Sequence, residues 1–452
     1  MRFGLIKPVG PGTRPGQMGP YLFLPLLAGE VSRSDEGGNP PSASQARHLP
    51  RKRGRKTRRD LLARKHRQAN LPTMSNFSFR TVPHIVFEDG GSERLASLAA
   101  PLLHHARRVV FITDKGVRSA GLLDAALGDF MDADIDVHVI DSVIADPPEQ
   151  RVLDVADEAR RFGAQAVIGF GGGSPMDTAK IVALLLGGDQ PLSEMYGVDQ
   201  VRVRGLPLIL VPTTAGTGSE VTNVAVLTTG ATSKRGIAAA PLYAQMAVLD
   251  PGLTIGLPKH VTAATGIDAM VHAIEAYTNR RSKNPVSDAL ALAALKKLIP
   301  ALERACADGH DREARGDMLL GAMLAGQAFS NSPVGAVHAM AYPLGGIFHV
   351  PHGLSNSVVL PPVLKFNAAA CEDLYGEIAT HCGLKPGSSG LIAEMERLAD
   401  AVGIERRLSQ LGISHNDIPR MAEDVAANDR LLPNNPRDLT YDDIVGLYEE
   451  IL

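Results

Sequence analysis

From residue 107 onward the chain alternates two kinds of apolar pattern. Short, nearly unbroken apolar runs predict buried strands at 108–113 (RVVFIT), 136–141 (DVHVID), 164–169 (AQAVIG) and 206–211 (LPLILV). Between them, 149–162 carries Val152, Val155, Ala156 and Ala159 at helical spacing, and 176–186 predicts a second helix. Strands alternating with helices imply a mostly parallel sheet with ligands at the strands' carboxyl ends. After about residue 257 the strand pattern stops and helical patterns dominate, clearest at 265–279 (TGIDAMVHAIEAYTN). The expected organisation is an α/β domain over 74–257, followed by an all-α domain over 258–452.

Two loops at predicted strand ends carry chemistry. In 171–175 (GGGSP), glycines let backbone approach phosphate oxygens, and the following helix aims free N–H groups at them. Pro175 suits the first turn of that helix. This is neither a GxGxxG nor a Walker loop, and alone a structural turn explains it equally well. The loop 212–220 (PTTAGTGSE) adds hydroxyls and two more glycines at a neighbouring strand end, which favours phosphate binding. Asp114 ends the first of these strands. An acid there can accept from ribose hydroxyls and repel a 2′-phosphate, favouring NAD over NADP, or simply cap the next element.

In the helical half, Asp268 and His272 lie at i and i+4 and so share a helix face. Polar residues on an otherwise apolar helix are costly to bury unless paired or metal-bound. A second cluster, 337–353 (VHAMAYPLGGIFHVPHG), holds His338, His349 and His352, with Tyr342 one turn beyond His338. Carboxylate plus imidazole suits Fe²⁺ or Zn²⁺ better than Mg²⁺. Spacing alone leaves hydrogen-bonded core histidines as an open alternative, since no HExxH or CxxC pattern is present.

Composition narrows the field further. Aromatics are only 4% with no tryptophan, which argues against stacking platforms for single-stranded nucleic acid. The net charge of −3 hides a basic run at 47–67, with eleven Lys/Arg against Asp60 alone. That run suits nucleic acid or an acidic surface. It sits, however, in a Gly-, Pro-, Ser- and Arg-rich stretch (1–73) without helical or strand period, expected to be a disordered extension or the product of a start assigned upstream of Met74. Three cysteines with no close pairing fit a reducing, cytoplasmic setting, and no apolar run reaches membrane-spanning length.

Taken in order, GGGSPMDTAK (171–180), PTTAGTGSEVT (212–222), AATGIDAMVHAIEAY (263–277), FSNSPVGAVHAMAYPLGG (329–346) and VPHGLSN (350–356) resemble the iron-containing, or group III, alcohol dehydrogenases. The resemblance runs from about residue 76 to the C-terminus. It implies a dehydroquinate synthase-like architecture and a metal held by Asp268, His272, His338 and His352, with His349 outside the set. It implies an NAD site at Asp114, Gly172, Gly173, Ser174, Thr213, Thr214 and Thr217, with Lys234 a looser match, and places apolar Phe329 beside the substrate. The implied reaction is reversible hydride transfer between an alcohol and NAD, giving an aldehyde or ketone. A homodimer or higher homo-oligomer is the expected assembly. Two positions depart from the family pattern. Tyr342 stands where many members have a second His proposed for proton relay, and a phenol is a poorer base than an imidazole at neutral pH. Pro148 stands in a turn where many members have a threonine that meets the adenine. Within the family, Tyr342 keeps a hydroxyacid–oxoacid transhydrogenase in view; maleylacetate reductases largely lack this metal set. A dehydroquinate synthase-like lyase normally has Glu rather than Asp268.

Overall fold

The computed structural model describes residues 76–104, 106–230 and 233–452, so the basic run and the expected extension lie outside the described residues. Six strands form one sheet in the order β1 (His84–Phe87), β9 (Met246–Leu249), β6 (Leu208–Pro212), β4 (Ala166–Gly171), β2 (Arg108–Asp114) and β3 (Asp136–Val143). Every pairing in it is parallel. Strands covered on both faces should read as continuous apolar runs, and β4 and β6 are buried at every position. Their side chains alternate between two cores. Phe111, Ile168, Phe170, Ile209 and Val211 face the Leu95–Leu103 and Asp124–Asp132 helices, where Phe111 meets Phe130 edge-on at 5.2 Å. Val110, Ile112, Val167 and Leu210 face the opposite way, toward the Glu149–Phe162 and Gly173–Gly187 helices.

The chain passes from β2 to β3 on one side and to β4 on the other. That reversal opens a crevice beyond the carboxyl ends of β2 and β4, the position where such sheets bind ligands. A smaller sheet of β5 (Gly197–Val198), β8 (Ser233–Ala238) and β7 (Val224–Thr229) flanks it. From Lys259 on, the described residues are helical, beginning with the long helices Lys259–Thr278, Pro285–Ala307 and Arg312–Asn331. This matches the expected α/β-then-all-α layout. None of the described helices is long and apolar enough to cross a membrane, and all three cysteines are free thiols.

Candidate metal centre and cofactor cleft

The Lys259–Thr278 helix is buried almost all round from Gly266 to Thr278, so polar side chains on it must find partners. Asp268 and His272 project from it one turn apart. His338 comes from the Ala336–Phe348 helix, and His352 opens the His352–His381 helix. One ligand atom from each of the four lies within 4.8 Å of the others. His338 Nε2 faces His272 Nε2 at 3.0 Å, and Asp268 Oδ1 is 3.8 Å from both His338 Nε2 and His352 Nε2.

Electrostatics prepare these groups as ligands. Burial drives the His272 ring down to about 3 and the His352 ring down to about 4, so both are neutral near pH 7 with lone pairs to offer. Burial pushes Asp268 upward, but the facing histidines and the Asn356 hydrogen bond outweigh it and hold the carboxyl below its usual range. The Asn356 amide donates to Asp268 Oδ1 at 2.6 Å, while its own oxygen is buried without a partner. Buried imidazoles and a carboxylate converging on one point are a poor core without a cation and a good cage with one. The donor set fits a divalent ion.

Two positioning residues escaped the sequence reading. Glu275 accepts the His338 Nδ1–H at 2.6 Å and the Val337 backbone N–H at 2.7 Å. It thereby turns the Nε2 lone pair of His338 toward the cluster. The signal was available, because Glu275 is an acid three residues after His272 on an apolar helix face. Asn356, in the VPHGLSN motif, was the other. Glu275→Gln should weaken metal affinity about 10- to 100-fold with all four ligands still present, measurable by titration in metal-buffered solution. Unchanged affinity would remove Glu275 from the site.

A cleft of about 900 Å³ leads from this cluster to the sheet. His272, His338, His352, Phe329 and Tyr342 line it together with Gly173, Ser174, Thr217 and Lys234. Phe329 stacks on the His272 ring at 4.3 Å. Asp268 lies buried behind the wall, and Gly172, Thr213, Thr214 and Asp114 also stand off it. Asp114 Oδ1 caps the next helix by accepting from Val117 N at 3.0 Å, while Oδ2 faces Gly171. Lys234 is ion-paired with Asp146 at 2.7 Å. His349 is exposed and ends its helix with a left-handed backbone, outside the cluster as expected.

Gly172 ends β4's loop as the N-cap of the next helix, which has no side-chain cap. Its first N–H groups therefore face the cleft without side-chain competition, as an anion site needs. A Cβ on Gly173 would lie 2.9 Å from Thr217 Cγ2, so the glycine keeps open the cradle between the two loops. On the far side of that cradle, Gly218 leaves room for Gly326 and Gly216 for Thr265, pressing the loop against the helical half.

Behind the loops lies a buried polar knot. Lys180 Nζ donates to Thr222 Oγ1 at 3.0 Å and to the Val224 carbonyl at 2.7 Å, and Asp177 accepts from Ser219 Oγ and Val226 N. Burial pushes the adjacent Glu220 up from 4.5 to about 7. A raised acid stabilises the fold fully below pH 4.5, and that contribution is lost as pH rises through 7. Glu220→Gln should thus match the parent below pH 4.5 and gain on the order of 3 kcal/mol at pH 8, read from thermal midpoints against pH. A gain that shrinks with rising pH would contradict the assignment.

A nicotinamide-linked, metal-dependent oxidoreductase is the class that accounts for both ends of this cleft. Comparison with known proteins narrows it. Residues 83–251 match the model of iron-containing alcohol dehydrogenase, and residues 262–452 match the C-terminal model of the Fe-containing alcohol dehydrogenase family. The chain is 39% identical over 357 residues to long-chain-alcohol dehydrogenase 1 of Geobacillus thermodenitrificans, covering 76% of this chain and 89% of that one. It superposes on 1,3-propanediol oxidoreductase with a TM-score of 0.80 at 32% identity, covering 84% of this chain and all of that one. It also superposes on the sulfoacetaldehyde reductase of Bifidobacterium kashiwanohense, solved with NAD⁺, with a TM-score of 0.75 at 27% identity, covering 83% and 99% of the two chains. The chain belongs to the iron-containing alcohol dehydrogenase family, whose members are NAD-linked alcohol oxidoreductases.

Proposed function

We propose that this enzyme interconverts an alcohol and its aldehyde or ketone with NAD, using a divalent ion held by Asp268, His272, His338 and His352. The observation that carries this reading is the convergence of those four side chains at the inner end of a cleft whose outer wall is an uncapped, glycine-rich helix N-terminus. The ion supplies Lewis acidity and NAD supplies the two-electron acceptor. Fe²⁺ is the proposed metal, and the same one-carboxylate, three-imidazole set also accommodates Zn²⁺.

The chain's own residues do the rest. Gly172, Gly173, Ser174, Thr213, Thr214 and Thr217 would hold the diphosphate at the helix N-terminus, and Asp114 Oδ2 would accept from the adenosine ribose. Lys234 and its partner Asp146 border the cofactor next to His352. Phe329 keeps an apolar wall beside the carbinol and packs His272 in place. Tyr342 Oη accepts a hydrogen bond from Arg430 Nη2 at 3.2 Å, so its own O–H is free to donate into the cleft. That makes Tyr342 a hydrogen-bond donor to the substrate rather than a base. The deciding experiment is an NAD-linked activity screen over short alcohols, diols and hydroxy acids, with metal analysis of the same preparation. Turnover without added NAD, on hydroxy acid and oxo acid together, would instead select the transhydrogenase reading.

A further inference from the structure

Of the cations on the cleft wall, Arg80 and Arg281 are exposed, and the two less exposed ones, Lys234 and Arg430, are not equivalent. Lys234 is neutralised by Asp146 at 2.7 Å. Arg430, on the wall beyond the metal cluster, pairs with no carboxylate among the described residues, and its side-chain hydrogen bond goes to the Tyr342 hydroxyl. A half-buried guanidinium with five donors and one neutral partner is under-used. Its backbone is nevertheless anchored. The Arg430 carbonyl accepts from the Asn434 amide at 3.3 Å, and the next residue, Leu431, donates its N–H to Asn428 Oδ1 at 2.9 Å.

The neighbouring strand leaves room for the guanidinium. On β8, residue 236 is glycine, and a Cβ there would stand 2.5 Å from Arg430 Nη1. Any side chain at 236 would displace the guanidinium. Tyr342, to which it is bound, lies one turn from the ligand His338 on the same helix. The result is a positioned cation, without a carboxylate partner, that lines the same cleft as the metal cluster.

Resting on the dehydrogenase reading above, we propose that the preferred substrate is a short alcohol or aldehyde bearing a carboxylate or sulfonate, and that Arg430 binds that group with the Tyr342 hydroxyl beside it. A guanidinium recognises such planar or three-oxygen anions with paired, charge-assisted hydrogen bonds. A plain alkanol would leave the same cation desolvated and unpaired, which discriminates against it.

The test compares matched substrates in the metal-loaded enzyme with NAD. The probes are 4-hydroxybutanoate and 3-hydroxypropane-1-sulfonate against butan-1-ol and propane-1,3-diol. The parent should favour at least one anionic member in kcat/KM by about 30-fold, the value of one charge-assisted hydrogen bond. Arg430→Gln should collapse that ratio, mainly through KM, and Arg430→Lys should restore part of it. Metal content and thermal midpoint report folding of each variant independently. A preference for carboxylate over sulfonate, or the reverse, identifies which anion the site takes. No anionic preference in the parent, or an equal loss on neutral and anionic substrates in Arg430→Gln, overturns the proposal while leaving the dehydrogenase reading intact. Turnover of none of the four overturns the dehydrogenase reading for these substrates, and the inference with it.

Discussion

His272→Ala should lose its metal and its turnover together. The imidazole is one of four donors, and removing it leaves Asp268, His338 and His352 around a position open to water. Loss of Lewis acidity at the reacting oxygen removes several kcal/mol of transition-state stabilisation, so kcat should fall about a thousandfold or more. Metal analysis of the purified variant should show occupancy well below the parent's. The ring also stacks on Phe329, and its removal leaves space beside that partly buried side chain. A parent stripped with chelator is therefore the matching control, since it should lose activity with the stack intact. A metal-free His272→Ala protein retaining full turnover would show that the four-residue cluster is not the reaction centre.

The opposite end of the cleft gives the second large effect. Gly173→Val should abolish tight NAD binding and leave the metal in place. A side chain there meets Thr217 Cγ2 at under 3 Å and fills the cradle between the two loops. Overpacking of this kind costs about 1–3 kcal/mol, and direct obstruction of the diphosphate adds to it, so the NAD dissociation constant should rise about 100-fold. Fluorescence titration with NADH measures it, and metal content in the same sample shows whether the helical half is undisturbed. Parent-like affinity would move the diphosphate elsewhere on the wall.

The sequence carried the architecture well where burial was two-sided. The runs at 108–113 and 136–141 fall on strands, the run at 206–211 meets its strand from Leu208, and the helix at 149–162 has its predicted bounds. The strand predicted at 164–169 runs instead over Ala166–Gly171, and the helix predicted from 176 starts at Gly173. Both offsets have one cause. Glycines at 171–173 read as a break because glycine weakens regular structure, yet here they are strand end and first helical turn. The small sheet containing β7 and β8 went unread, since its burial alternates or is partial and its apolar signal is weak.

At the site, ligand spacing made Asp268 and His272 a natural pair, but histidines 66 and more residues away cannot be joined to them by pattern. The ordered family motifs made that join, and the cluster geometry is consistent with it. Glu275, Asn356 and Arg430 were missed for a different reason. Each acts by touching a particular neighbour across the fold, and no periodicity marks that. For Asp114 the helix-cap alternative is seen directly, through one oxygen, while the other oxygen faces the glycine loop, where the ribose role is proposed.

The four proposed ligands come from three helices, with the long stretch from His272 to His338 threading through two more before it returns. An ion at that point is topologically a cross-link, comparable to a disulfide in closing a large loop of the unfolded chain. It is a reversible one, made and broken by the metal supply. The history of metal exposure during synthesis then becomes part of the protein's folding history. Preparations of identical sequence can differ in resistance to heat and protease according to how many molecules carry the staple.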